Sequence, residues 1–102
     1  MSEQVNQNYE GHVDDQSIIL WEKEGEQVRL TVSEFRGNLY MGIRYWLLDI
    51  NDEWFPTKSG FSFPYTLETT SQLFYAFTQI LSESEVLQEV QKRAEELKAK
   101  NA

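Results

Sequence analysis

Val28-Arg29-Leu30-Thr31-Val32-Ser33-Glu34-Phe35, the turn Arg36-Gly37-Asn38, and Leu39-Tyr40-Met41-Gly42-Ile43-Arg44-Tyr45-Trp46-Leu47-Leu48-Asp49 form the stretch that decides the fold. In the first run Val28, Leu30 and Val32 alternate with Arg29, Thr31, Ser33 and Phe35, the period of a strand with one apolar face. In the second, Leu39, Met41, Ile43, Tyr45 and Leu47 alternate with Tyr40, Gly42, Arg44, Trp46 and Leu48. Gly and Asn best tolerate positive φ, so the three residues between the runs predict a hairpin connection.

Outward from this hairpin, Ile18-Ile19-Leu20-Trp21 is a short β-like run, and Glu22-Lys23-Glu24-Gly25-Glu26 is a polar turn before the first central strand. Asp49-Ile50-Asn51-Asp52-Glu53 is a second acidic turn. Trp54 to Phe63 follows as a fourth strand, with Pro56 at an edge or bulge because proline cannot donate to the ladder, and Pro64 closes it. Residues 17–63 therefore predict a four-stranded antiparallel meander. The period then becomes helical. Leu67, Leu73, Phe74, Phe77, Ile80 and Leu81 fit an amphipathic helix starting near Thr66–Glu68. Ser82 and Glu85 have capping-box spacing, and Val86, Leu87, Val90, Ala94 and Leu97 form a second apolar stripe. One bent helix or two are both open on this pattern. The expected fold class is α+β, in three parts: a disordered acidic tail over 1–16, a β-β-β-β-α domain over 17–81, and a C-terminal helical extension over 82–102.

Composition removes most enzyme classes. With Cys 0 there is no disulfide framework, thiol nucleophile or thiolate metal site. The single histidine, His12, lies in a polar stretch, which argues against a histidine triad or a zinc site. No catalytic residue, metal ligand or cofactor site is expected. A carboxylate-metal nuclease built on Asp49, Asp52 and Glu53 is the one enzymatic alternative, weighed against the ordinary acidity of turns. No apolar run approaches the ~20 residues that span a bilayer, and the first residues lack a basic and then apolar leader pattern. A soluble cytoplasmic protein, without membrane partners, is expected.

The chain carries 17 Asp+Glu against 9 Lys+Arg, a net charge of −8, which at first argues against a nucleic-acid partner. Half of that charge, however, sits in Glu3, Glu10, Asp14 and Asp15 of the tail. The polar sheet face has a different composition. It joins Arg29, Thr31, Ser33 and Phe35 to Tyr40, Gly42, Arg44 and Trp46, with Lys58 and Ser62 from the fourth strand. Trp54 joins them if Pro56 causes no slip, and Arg36 and Asn38 flank the turn. Aromatics on which bases stack beside cations that neutralise phosphates suit single-stranded nucleic acid. A protein interface and an inert solvated face stay open on the pattern alone. Arg44 suits a salt bridge to Asp49 or Glu53 as well as a phosphate.

The run from Val28 to Asn38 resembles part of the eukaryotic transcriptional positive coactivator domain, a whirly-like family that binds single-stranded DNA. So do its continuations Ile43-Arg44-Tyr45-Trp46-Leu47-Leu48-Asp49 and Pro56-Thr57-Lys58-Ser59-Gly60-Phe61-Ser62. The likeness spans about residues 17–81 and is that of a bacterial or bacteriophage member. It implies a homodimer joined through the helix after the sheet, with two curved sheets presenting channels for single-stranded DNA. Phe35 falls on the family's base-stacking phenylalanine, Arg36 on its turn lysine, Arg44 on its strand-three arginine and Lys58 on a basic residue of the fourth strand. Ser33, Asn38, Phe55, Ser59 and Glu26 stand where the family commonly has cations. The family's stacking tryptophan aligns with Leu47, while Trp46 takes the preceding tyrosine position.

The expected function is sequence-nonspecific binding of single-stranded DNA at opened duplex in transcription, replication or recombination, with passive unwinding, in a nucleoid-associated protein of a bacterial or phage-infected cell. The expected DNA-binding residues are Arg29, Ser33, Phe35, Arg36, Asn38, Tyr40, Arg44, Trp46, Trp54 and Lys58. Fewer cations imply weaker and less salt-sensitive binding than in the eukaryotic members. The alternative is a protein-interaction module of the transcription or replication machinery, contacting its partners through the acidic tail.

Overall fold

Two backbone torsions set the sheet. Arg36 and Gly37 take φ of 56° and 83°, the both-positive pair of a two-residue type I′ turn, whose twist matches that of the strands it joins. In the computed structural model, which describes residues 13–101, this turn links β2 (Glu26–Phe35) to β3 (Asn38–Leu48). All 10 residues of β2 pair without interruption, from Glu26 opposite Leu47 to Phe35 opposite Asn38. β1 (Val13–Lys23) and β4 (Trp54–Pro64) flank the hairpin, giving an antiparallel sheet in the order β1-β2-β3-β4. β1 starts at Val13, inside the stretch expected to be tail, because Val13, Asp14 and Gln16 find partners along β2. The rest of that stretch, with Glu3, Glu10 and His12, lies outside the described residues.

The sheet is curved, and its edge strands carry the irregularities. β1 slips register between Asp14 and Gln16 and again between Ile19 and Trp21. β4 slips where Tyr45 faces the segment Thr57-Lys58-Ser59, between the pairs Arg44–Gly60 and Trp46–Pro56. Pro56 itself stays paired on this edge strand, and the slip follows it. Such bulges bend a strand and increase its twist.

Register sorts the side chains into rows. Ile18, Leu30, Ile43 and Phe61 cross the sheet on one face, as do Val32, Met41 and Phe63. On the other face Ser17, Thr31, Gly42 and Ser62 make a row of small residues, next to the row Ile19, Arg29, Arg44, Gly60. The polar face is the more enclosed one. Thr31 and Ser33 are 1% exposed and Arg44 2%, whereas Ile18 and Phe61 on the apolar face are 58% and 57% exposed.

Strands β3 and β4 approach closely. A Cβ placed on Gly42 would lie 2.6 Å from the Phe61 carbonyl oxygen, and one on Gly60 2.5 Å from that of Ile43. Gly60 also takes φ of 148°. On the apolar face the Tyr45 hydroxyl donates to Glu26 Oε1 at 2.7 Å.

The helical unit, from Leu67 onward, contains α1 (Leu67–Glu83) and α2 (Leu87–Lys100). The apolar periodicity is thus two helices, and the boundary falls after Ser82. The expected capping box does not form. Ser82 lies within α1, and α2 begins after Val86 with no side-chain cap. The break is made by the backbone: Glu85 takes φ of 61°, its N–H donates to the Ser82 carbonyl at 3.1 Å, and the Val86 N–H donates to that of Leu81 at 3.2 Å. This is a Schellman ending with a glutamate at the position glycine usually holds. No residue of either helix is buried. No helix among the described residues is long and apolar enough to cross a membrane.

Two outcomes follow. Gly60→Ala would lower stability in a urea titration by at least about 2 kcal/mol, combining backbone strain with overpacking against β3; a loss near zero would contradict the close strand approach. The hydrogen bond to Glu26, partial burial and the Glu26 charge together raise the Tyr45 pKa above its ordinary value. The folded chain then holds this proton more tightly than the unfolded chain, so the contribution is complete below pH ~10 and is lost as pH rises beyond it. Tyr45→Phe would remove that part of the alkaline decline, read from melting curves at increasing pH.

Candidate nucleic-acid interface

The ten residues expected to bind DNA fall into three groups by depth. Ser33 and Arg44 lie in the floor of the polar face, 1% and 2% exposed. Arg29, Phe35, Tyr40, Trp46 and Trp54 are half-buried around that floor, and Arg36, Asn38 and Lys58 are exposed at its ends. The register brings most of them together: Arg29 faces Arg44, Ser33 faces Tyr40, Phe35 faces Asn38, and Trp54 pairs with Leu48 beside Trp46. The β4 irregularity spares Trp54 its face because Thr57-Lys58-Ser59 opposes one residue of β3; two extra residues conserve the alternation. Leu47, at the position of the family's stacking tryptophan, pairs with Glu26 and so falls on the opposite face from Trp46.

Arg44 is buried toward β4. Its Nη1 donates to the Thr57 carbonyl oxygen at 2.9 Å, whereas the sequence left a salt bridge to Asp49 or Glu53 open beside a phosphate contact. Asp49 uses Oδ1 to accept the N–H groups of Asn51 and Glu53 at 2.8 and 2.9 Å, shaping the β3–β4 turn. A buried guanidinium is costly unless it is hydrogen-bonded, and here it ties the bulge to β3. Thr57 completes the tie. Its hydroxyl donates to the Tyr45 carbonyl at 2.9 Å and accepts the Ser59 N–H at 3.1 Å. Thr57 thereby fixes the segment that carries Lys58 outward. Sequence reasoning passed over Thr57, since a threonine within a strand carries no distinguishing pattern.

At the hairpin end, the Arg36 guanidinium lies 4.9 Å from the Phe35 ring centroid, and Asn38 Nδ2 donates to the Arg36 carbonyl at 3.5 Å. Arginine is a poor residue for positive φ, where glycine or asparagine would fit at lower cost. On the other side of the floor, the Arg29 guanidinium lies 3.8 Å from the Trp46 ring centroid. Cations and rings thus alternate over one enclosed polar surface, an arrangement suited to an anionic chain of stackable bases. Among the described residues no cluster of His, Cys, Asp or Glu could hold a metal ion.

Thr57→Val removes the hydroxyl but keeps the shape. It would cost about 1–2 kcal/mol of stability and speed amide hydrogen exchange at Ser59, while Thr57→Ser would leave both near wild type.

Residues 21–70 match the family model described as Transcriptional Coactivator p15 (PC4). Comparison with curated proteins gives no match. Among solved structures, the chain is similar to the bacteriophage T5 homolog of the eukaryotic transcription coactivator PC4 implicated in recombination-dependent DNA replication. The identity is 99%, over 84% of this chain and 98% of that one, with a TM-score of 0.76.

Proposed function

This chain belongs to the transcriptional coactivator p15 (PC4) family, and from that premise we propose that it binds single-stranded DNA without sequence preference through the polar face of its sheet. The observation that carries the reading is the arrangement of Arg29, Arg36 and Lys58 among Phe35, Tyr40, Trp46 and Trp54 around a floor of small buried residues. Bases would stack on the half-buried rings, and phosphates would follow the exposed cations at the two ends. Arg44 and Ser33 act from below, Arg44 by holding the Lys58 segment in place. No catalysis is part of this proposal.

A protein that binds only the single-stranded form also traps opened duplex, so passive unwinding follows by mass action. The T5 relative's implication in recombination-dependent replication supports the same setting for this chain: strands opened during replication and recombination in a phage-infected cell. The proposal includes a homodimer. Phe74, Phe77 and Ile80 of α1 are 69%, 60% and 61% exposed, more apolar surface than a helix ordinarily leaves to water. A second copy of the helix would cover it.

Anisotropy of a labelled oligo-dT of roughly 20 nucleotides, titrated at several salt concentrations against duplex competitor, tests the reading. The expected result is micromolar or tighter binding that prefers the single strand. With the two exposed cations, Arg36 and Lys58, on phosphates in each protomer, the salt slope would be about −1.4, from ~0.7 per contact. Arg36→Asn separates function from stability: the variant would melt at higher temperature, because asparagine suits the turn, yet bind more weakly. Absence of binding at low salt, or equal competition by duplex, would sink the proposal.

A further inference from the structure

We propose that Arg29 and Trp46 form a nucleobase platform, not a phosphate clamp, and that Gln27 is the positioning residue that holds it. This rests on the single-strand reading above and says which part of the DNA one of its cations meets.

The geometry around Arg29 is that of a plane held from its edges. Its Cζ lies 3.8 Å from the centroid of the Trp46 ring, within stacking distance. Its Nε donates to Gln27 Oε1 at 2.8 Å, and its Nη1 donates to Ser17 Oγ at 3.3 Å. Both acceptors are neutral, and together they fix the orientation of the guanidinium. Bidentate capture of a phosphate uses the fork of N–H groups along one edge of the guanidinium, and here the Nε side of that fork is turned into Gln27. A guanidinium plane is also a surface on which bases stack. Seated on an indole, it extends that surface upward by one layer.

Gln27 has no other evident reason to be where it is. It is 3% exposed, and burying a side-chain amide is unfavourable unless its groups are paired. It sits opposite Trp46 in the register, so one cross-strand pair supplies both the ring beneath Arg29 and the acceptor beside it. The neighbouring row supports the same assignment. Arg29 and Arg44 occupy directly opposed positions, where like charges disfavour each other. Their partners lie on different sides: Arg44 reaches the Thr57 carbonyl on β4, and Arg29 reaches Gln27 on β2 and Ser17 on β1. The two guanidinium groups are therefore not built as a joint anion clamp.

The test compares oligo-dT with an abasic strand of equal length, both measured across a salt titration. Arg29→Lys keeps the charge and loses the plane. It would weaken oligo-dT binding roughly tenfold, the value of about one stacking contact, with the salt slope unchanged and abasic-strand affinity unaffected. Gln27→Leu would give the same selective loss. Gln27→Glu, whose carboxylate accepts the same Nε–H, would restore oligo-dT binding. Melting curves establish that each variant folds, and should Gln27→Leu fail to fold, Arg29→Lys decides alone. Equal weakening on both strands, or no weakening on oligo-dT, would overturn the platform. So would a salt slope shallower by about 0.7 in Arg29→Ala, since that is the loss of one phosphate contact. If wild type bound neither strand, the single-strand reading itself would fall; if wild type bound oligo-dT and the variants did not discriminate, only the platform would.

Discussion

The I′ turn at Arg36-Gly37 governs the rest of the sheet. Side chains on a strand alternate with period 2, so a hairpin closed one residue earlier or later would turn every side chain of one strand to the opposite face. The both-positive torsions at Arg36 and Gly37 close the connection at two residues, and from that point the pairs run without a break to Glu26 and Leu47. Arg29, Thr31 and Ser33 then share a surface with Trp46, Arg44 and Tyr40 only because the turn has this length. The cation on the first turn residue is a local conflict: arginine supplies charge at the tip, where the backbone would favour glycine or asparagine. Such conflicts are concentrated at functional positions.

The second constraint is arithmetic. The insertion on β4 conserves the alternation, so Trp54 stays with Trp46 although Lys58 is lifted out of the ladder. The β1 slips are of another kind. Passing Leu20 puts Trp21 opposite Val28, on the apolar side, two places after Ile19 stood opposite Arg29. An irregular strand can therefore either keep or exchange its faces, and this sheet does each at a different edge. Buried polar groups follow from the same curvature. Thr31, Ser33 and the row through Gly42 are small, and the side they occupy is the enclosed one, while larger apolar side chains spread over the opposite side.

Much of this was legible in the residues. Val28 to Leu48 announces its strands because alternation and a glycine turn are local properties, and the shift to helical spacing after Pro64 is equally local. The face proposed for DNA was chosen from the same alternation and from the resemblance to the coactivator family. What stayed hidden depends on contacts distant in the chain. Nothing in Thr57 distinguishes it until its hydroxyl meets the Tyr45 carbonyl. Arg44 reads as a surface cation until its burial and its Thr57 acceptor are known. Gln27 looks like a solvated residue, and its role comes entirely from Arg29 and Trp46. The Ser82–Glu85 spacing misled for a related reason: a capping box and a Schellman ending compete for the same residues, and the left-handed Glu85 decided in favour of the latter. The start of β1 was missed because polar edge residues such as Gln16 pair through their backbone alone.

The bulged edges bear on how the molecule meets its own kind. An open sheet offers unpaired N–H and C=O groups along its outer strands, and a regular edge invites another strand to continue it. Here each outer strand is interrupted: β1 twice by slipped register, β4 by the Thr57-Lys58-Ser59 insertion, by Pro56, which has no N–H, and by Pro64 at its end. Growth of the sheet sideways into a ribbon is thus discouraged at both margins. Strand-against-strand continuation between copies is therefore the mode of self-association this sheet disfavours.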